Sequence, residues 1–216
     1  MLVTIDGPAG SGKSSTAKKV AHQLGIQYLD SGALYRTIAF LRMNDDSDES
    51  TFFDKLKDTK VEFFYKDEFF KVFVDGTDIS TSIRSIEVSN HVSEVAANPA
   101  FRSIVNEWMK ESIQHAEFIA DGRDLGTAVF PEAELKFYMI ADLETRAMRR
   151  FNELQAMGKD VSLKAVKENI KARDEQDSNR ENDPLAQPED AILIDTSTLR
   201  FDQQVEVICG HIRPLL

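Results

Sequence analysis

Cysteine is almost missing from this 216-residue sequence: Cys209 stands alone, so no disulfide can form within the chain. That fits a protein kept in a reducing, cytoplasmic compartment. Also missing is any apolar run near the roughly 20 residues that a membrane-spanning helix needs. No membrane partner is expected. The apolar stretch at the N-terminus is too short for a signal peptide and feeds directly into a glycine-rich segment. Net positive charge is absent as well. The formal balance is −11, and a chain without a broad basic surface is a poor partner for a nucleic-acid polymer. A small anionic substrate stays open, because a few arginines can dominate the field inside a cleft. Internal repeats and low-complexity tracts are lacking. So is an Asn-Lys-x-Asp segment that would read guanine, which argues against a GTPase.

What is present is ordinary for a globular chain: 42% hydrophobic and 29% charged residues, in a length that suits one large domain or a core with an insertion. Short apolar runs recur between helical stretches. They are "LVTID" (2–6), "IQYLD" (26–30), "EFIAD" (117–121), "LKFYMIA" (135–141) and "AILID" (191–195). Strand-length runs of this kind, separated by helices at about 12–24, 34–43 and 143–157, predict an α/β fold with a doubly wound parallel sheet. Residues 61–81 break the rhythm. "VEFFY", "FKVFVD" and "DIS" read as short antiparallel strands with Asp75–Gly76 as a hairpin turn. Helices at about 83–96 and 99–114 follow, with Pro99 well placed at a helix start. Residues 61–114 are therefore expected to be an insertion between the second and third strands of the main sheet. The phenylalanines at 52, 53, 63, 64, 69 and 70 are expected to fill its core. "RDEQDSNREND" (173–183) reads as a solvated helix end and loop.

"GPAGSGKSS" follows the first strand: Gly7, Pro8, Ala9, Gly10, Ser11, Gly12, Lys13, Ser14 and Ser15. It fits G-x-x-x-x-G-K-[ST] at every fixed position, between a predicted strand and a predicted helix. Glycines let the backbone wrap a phosphate so that successive N–H groups and the helix N-terminus point at the anion. Lys13 can reach the β- and γ-phosphates and the Ser14 hydroxyl can ligate Mg²⁺. The segment predicts ATP as ligand, and a small α/β protein of this kind reads as a small-molecule kinase.

Candidates for the acceptor side lie just after strands, where ligands collect in open α/β sheets. They are Ser31 and Arg36 in "DSGALYR", Asp121, Arg123 and Asp124 in "DGRD", and Arg146, Arg149 and Arg150 in "TRAMRR". Arg173, Asp177 and Arg180 in "RDEQDSNR" complete them. The 3- and 4-residue spacings put the middle arginines on one helix face. Arginine forks relieve the negative charge of two phosphates brought together. Asp121 ends its strand as an Mg²⁺-organising aspartate does, directly or through a bridging water. Asp6 and Asp30 also end strands, where a capping or structural role is expected.

Taken in order, "DGPAGSGKSS", "LDSGALYR", "SEVAANPAFR", "DGRDLGTAVFPEAELKFYMIA", "RDEQDSNRENDPL" and "DAILIDTSTL" resemble the bacterial cytidylate kinases from about residue 2 to about 200. The resemblance implies a P-loop nucleoside monophosphate kinase in one domain, 1–216. It has a five-stranded parallel sheet, a small antiparallel β plus helical NMP-binding lobe at about 61–114, and a short helical lid at about 150–180. It implies transfer of the γ-phosphoryl group of MgATP to CMP or dCMP, giving ADP and CDP or dCDP in pyrimidine nucleotide metabolism, by a cytoplasmic monomer. Ser31, Ser93, Arg102 and Asp124 match positions around the cytosine. Arg36, Arg123 and Arg180 match positions near the acceptor phosphate, and Arg173 and Asp177 match those that hold the pentose. Lys13, Arg123, Arg180 and the lid arginines Arg146, Arg149 and Arg150 are the implied catalytic set. The nearest rivals are UMP or AMP as acceptor, and a nucleotide-binding regulator without transfer.

Overall fold

The protein is described here from a computed structural model covering residues 1–114 and 116–216. In chain order, β1 (Leu2–Asp6) leads through the glycine segment into α1 (Lys13–Leu24). β2 (Gln27–Asp30) is followed by α2 (Ser31–Met43) and α3 (Glu49–Asp58). Next come β3 (Val61–Lys66), β4 (Phe69–Val74), the short β5 (Thr77–Asp78), α4 (Ile86–Ala97) and α5 (Pro99–Ser112). β6 (Phe118–Asp121) precedes a π-helical turn at Leu125–Val129 and β7 (Leu135–Ile140). The chain closes with α6 (Leu143–Ala156), α7 (Leu163–Asn179), β8 (Ile192–Asp195) and α8 (Phe201–Ile212).

The main sheet is five-stranded and all-parallel, in the order β2-β6-β1-β7-β8. β1 is central, and Val3, Thr4, Ile5 and Asp6 are all fully buried. That explains why the run is apolar on both faces. Ile5 lies opposite Asp121 in β6 and Phe137 in β7, so the chain leaves β1 in mid-sheet at the carboxyl ends of the strands. That is where open α/β folds place their ligands.

The chain divides into two compact units, Met1–Gln27 with Ala116–Leu216, and Tyr28–His115. In the first, Val3, Ile5, Val20, Phe137, Met139, Ile208 and Cys209 are buried between sheet and helices. In the second, Tyr28 meets Tyr65 and Phe70 edge to face with centroids 5.4 and 5.9 Å apart, and Phe101 stacks on Phe53 at 4.5 Å. Such pairs add about 0.5–1.5 kcal/mol each beyond their area burial.

The predicted hairpins form a second sheet, β3-β4-β5, antiparallel throughout. Asp75 and Gly76 turn β4 into β5 with φ of 47° and 80°, as the Asp-Gly pair predicts. The β3–β4 turn, Asp67–Glu68, also carries positive φ at both residues, 52° and 64°, without a glycine. Two expectations are corrected here. Phe64 and Phe69 are not core but point outward, 45% and 64% exposed, because strand alternation turns them away from Phe63 and Phe70. The charge-dense 173–183 run is helical as far as Asn179, and Asp177 within it is buried.

Caps set the helix starts. α2 begins at Ser31 rather than about Leu34, because Asp30 accepts from the Ala33 N–H at 2.8 Å. α4 begins at Ile86, where Ser85 accepts from Val88, and a 3₁₀ turn takes Ser82–Arg84. No described helix is long and apolar enough to cross a membrane.

Candidate active site

The glycine segment sits between β1 and α1. Gly7 has φ of +144°, and a Cβ there would lie 2.0 Å from the Met139 carbonyl oxygen, so only glycine lets the loop pass β7. Gly12 occupies the N-cap of α1 in the left-handed region, with no side chain capping the helix. The helix N–H groups are thereby left to an anion.

Lys13 is buried. Its Nζ donates to the Pro8 carbonyl at 2.7 Å and the Ser11 hydroxyl at 3.4 Å. Burial, and then the charge of Arg123, lowers its pKa well below the ordinary lysine value, against the pull of Asp121, Asp6 and Asp177. The Ser14 hydroxyl donates to Asp121 Oδ2 at 2.6 Å, joining the start of α1 to the end of β6. A hydroxyl and a carboxylate side by side at a phosphate-binding loop are hard oxygen donors of the kind Mg²⁺ takes.

The segment after β6 turns its neighbours in different directions. Arg123 Nε donates to Asp177 Oδ2 at 2.9 Å. Burial acts to lower its pKa, but the charge and hydrogen bond of Asp177, with Asp121 and Asp174, hold it above the ordinary value. Asp124 instead pairs with Arg180 at 3.0 Å, both side chains buried. Arg180 also donates from Nε to the Asp183 carbonyl at 2.7 Å. Asp177 lies one helical turn after the half-buried Arg173 on α7.

The three arginines of α6 take different roles. Arg146 Nη1 donates to the Ala9 carbonyl at 3.0 Å and to Asp174, while the Ala9 N–H donates to the other oxygen of Asp174 at 3.1 Å. Arg149 donates to the carbonyls of Ser11 and Thr196, at 3.2 and 2.6 Å, and to the Thr196 hydroxyl at 3.0 Å. Arg150 turns to Glu153 on its own helix at 3.0 Å. Two of the three are thus bonded to the glycine loop itself. Arg149→Ala should cost about 1–3 kcal/mol by leaving the carbonyl of the buried Thr196 short of a donor. A fall in the thermal unfolding midpoint checks this.

In the second unit, Ser31 is buried at the start of α2, where Asp30 gathers two arginines. Arg36 Nη2 donates to Asp30 Oδ1 at 3.2 Å, and Arg84 Nη2 to Oδ2 at 3.0 Å. Arg102, on α5, is buried with its guanidinium 5.7 Å from the Tyr35 ring centroid and its Nη1 donating to the Ala96 carbonyl at 3.3 Å. Ser93 is half-buried on α4.

Four of these participants carry no expected catalytic or binding role from sequence: Asp6, Arg84, Asp174 and Thr196. Asp6 is fully buried and accepts from the Leu125 N–H at 3.0 Å and the Gly126 N–H at 2.7 Å. Burial pushes its carboxyl up to about 6, although the two amides pull it down. Asp174 sits inside "RDEQD" (173–177), and only its contacts single it out.

The family described as Cytidylate kinase matches residues 3–214. A protein from Lactobacillus gasseri named "Cytidylate kinase" is 41% identical over 211 residues, covering 96% of this chain and 92% of its own. One of the same name from Caldanaerobacter subterraneus subsp. tengcongensis is 41% identical over 214 residues, covering 98% and 94%. The solved structure of an uncharacterized protein from Eubacterium ventriosum superposes with a TM-score of 0.57 over 99% of this chain and 98% of its own. At 13% identity that likeness is one of fold alone.

Proposed function

The chain belongs to the cytidylate kinase family, and from that premise we propose that it transfers the γ-phosphoryl group of ATP to CMP or dCMP, yielding ADP and CDP or dCDP. The observation that carries the reading is the segment after β6. It sets Arg123 among Asp177, Asp121 and Lys13 while the next residue, Asp124, is held by Arg180. One stretch thus supplies a cation for phosphates and a carboxylate for a base.

The acceptor is a phosphate oxygen already anionic at neutral pH, so no side chain needs to remove a proton. The residues have alignment and charge stabilisation to supply. Lys13 and the loop amides take the donor phosphates. Arg123, Arg36 and Arg180 take the acceptor phosphate, with Arg146, Arg149 and Arg150 supporting the donor side. Arg173 and Asp177 hold the pentose. Asp124 accepts from the exocyclic amine of cytosine, Arg102 donates to its ring acceptors, and Ser31 and Ser93 complete the surroundings. Uracil would set a carbonyl against Asp124, a mismatch of about 1–3 kcal/mol. Ser14, and Asp121 with it, would hold Mg²⁺, whose chemistry is to neutralise charge on the β- and γ-phosphates. Residues of about 61–114 are assigned to acceptor binding and about 150–180 to a lid that keeps water from the phosphoryl group. A cytoplasmic monomer is the proposed form, and the lone, buried Cys209 suits that compartment.

The test is ADP release with MgATP and each of CMP, dCMP, UMP, AMP and GMP, beside a control without acceptor. CMP and dCMP should turn over fastest and UMP weakly. Equal use of CMP and UMP would remove Asp124 as the discriminator, and no acceptor-dependent turnover would overturn the kinase reading.

A further inference from the structure

Asp124 is the N-cap residue of the π-helical turn Leu125–Val129, yet its side chain makes no cap hydrogen bond. An aspartate at an N-cap ordinarily accepts from the N–H groups of the first turn, which have no partner within the helix. Here the Asp124 carbonyl accepts from Ala128 at 2.9 Å, as an N-cap carbonyl should. Its carboxylate is turned to Arg180. The orphan donors are satisfied from elsewhere in the chain. Asp6, 118 residues earlier by number, presents one oxygen to the Leu125 N–H and the other to the Gly126 N–H.

We infer that Asp6 is a positioning residue for recognition of the acceptor base: by capping this turn from the end of β1, it keeps the Asp124 carboxylate out of its own cap and available to the base. The inference rests on the reading of Asp124 as the cytosine reader. Three features support it. Asp6 is fully buried at the end of the central strand. The turn is closely packed, since a Cβ on Gly126 would meet Pro188 Cγ at 3.0 Å and the Thr4 hydroxyl at 3.1 Å. And the residue after Asp6 opens the phosphate-binding loop, so one short stretch fixes both the donor loop and the base reader. Without two acceptor oxygens at position 6, the first-turn N–H groups need another partner. Asp124 is the carboxylate whose position in the turn suits it for that role.

The test compares D6N with D124N in the full-length protein, reading kcat/KM for CMP and for UMP and KM for ATP. In D6N one amide oxygen remains to accept, but the new NH₂ faces the second N–H. The CMP-to-UMP ratio should fall by about tenfold or more in D6N, as in D124N, because a recognition hydrogen bond is lost. KM for ATP should stay within about threefold, a split that general loosening of the fold would not give. Folded D6N with the wild-type ratio, where D124N has lost it, overturns the inference and spares the base reader. Wild-type selectivity in D124N removes the base reader itself and the inference with it. If D6N does not fold, D6S gives the same reading, since its single, shorter hydroxyl cannot serve both the Leu125 and the Gly126 N–H groups. A folded D6S that keeps the wild-type ratio overturns the inference equally.

Discussion

Lys13→Met is expected to lower kcat by about 10³-fold, the scale seen when a preorganised charge at a transferring phosphoryl group is removed, while leaving the protein as stable as before or more so. The two halves have one cause. Lys13 is buried, and its pKa is lowered by that burial and by the charge of Arg123, more than Asp121, Asp6 and Asp177 raise it. A lysine whose folded-state pKa lies below its unfolded value holds its proton less tightly when folded. Its charge therefore subtracts from stability below the folded pKa, and the cost fades as pH rises through that value toward the unfolded one. Methionine keeps the stem and removes the charge. The lost bond to the Pro8 carbonyl, worth about 1 kcal/mol, offsets part of the gain. What disappears outright is the cation assigned to the donor phosphates. Thermal unfolding at neutral pH and ADP release measure the halves separately. A folded variant with turnover within tenfold of wild type would remove Lys13 from the mechanism. A midpoint lower by many degrees would show instead that the ammonium holds the loop together.

That trade between stability and chemistry bears on what the sequence could show. The glycine loop was legible because local spacing writes it: strand, glycines at fixed offsets, lysine, serine, helix. The five parallel strands were legible for a similar reason, since burial on both faces leaves unbroken apolar runs. Partnerships were not. Asp174 meets Ala9 across 165 residues, and Asp6 meets Leu125 across 119. Nothing local in either segment announces the other. The Asp67–Glu68 turn was hidden because its positive φ angles are carried by residues with no glycine signal, and the length of the β3–β4 connection enforces them. The 173–183 run misled through its charge. On α7 the buried positions are Val166, Ile170 and Asp177, so the apolar stripe ends before the helix does and an ionic contact with Arg123 continues it. Phe64 and Phe69 misled in the opposite sense, since apolar residues also lie on surfaces. Of the arginines, Arg146, Arg149 and Arg150 look equivalent in sequence, and only the fold sorts them into two bonded to the glycine loop and one on the helix surface.

Arg123→Ala is expected to lower kcat by about 10³-fold as well, within the range an arginine supplies to a transferring phosphoryl group, and here the variant should also lose stability. Arg123 is held above its ordinary pKa, burial notwithstanding, by Asp177 and then by Asp121 and Asp174. Those carboxylates are the cause of its position as much as its partners. Removing the guanidinium leaves Asp177, itself buried, without the donor at 2.9 Å. Breaking a buried pair from one side costs about 3–5 kcal/mol. With the Arg123 side chain 22% exposed, a loss of about 2–3 kcal/mol is the fairer expectation. Activity loss could then be blamed on a damaged fold, and the partner separates the two. In R123A/D177N the stranded charge is gone, so the unfolding midpoint should recover most of what R123A lost. Turnover should not recover, because the cation is still missing, and D177N alone reads what loss of the Asp177 contact to the pentose contributes. R123K should fall between, keeping the charge without the two-pronged donor. If the double variant regained both midpoint and turnover, Arg123 would be a structural counter-ion to Asp177, and the charge at the acceptor phosphate would have to come from Arg36 or Arg180.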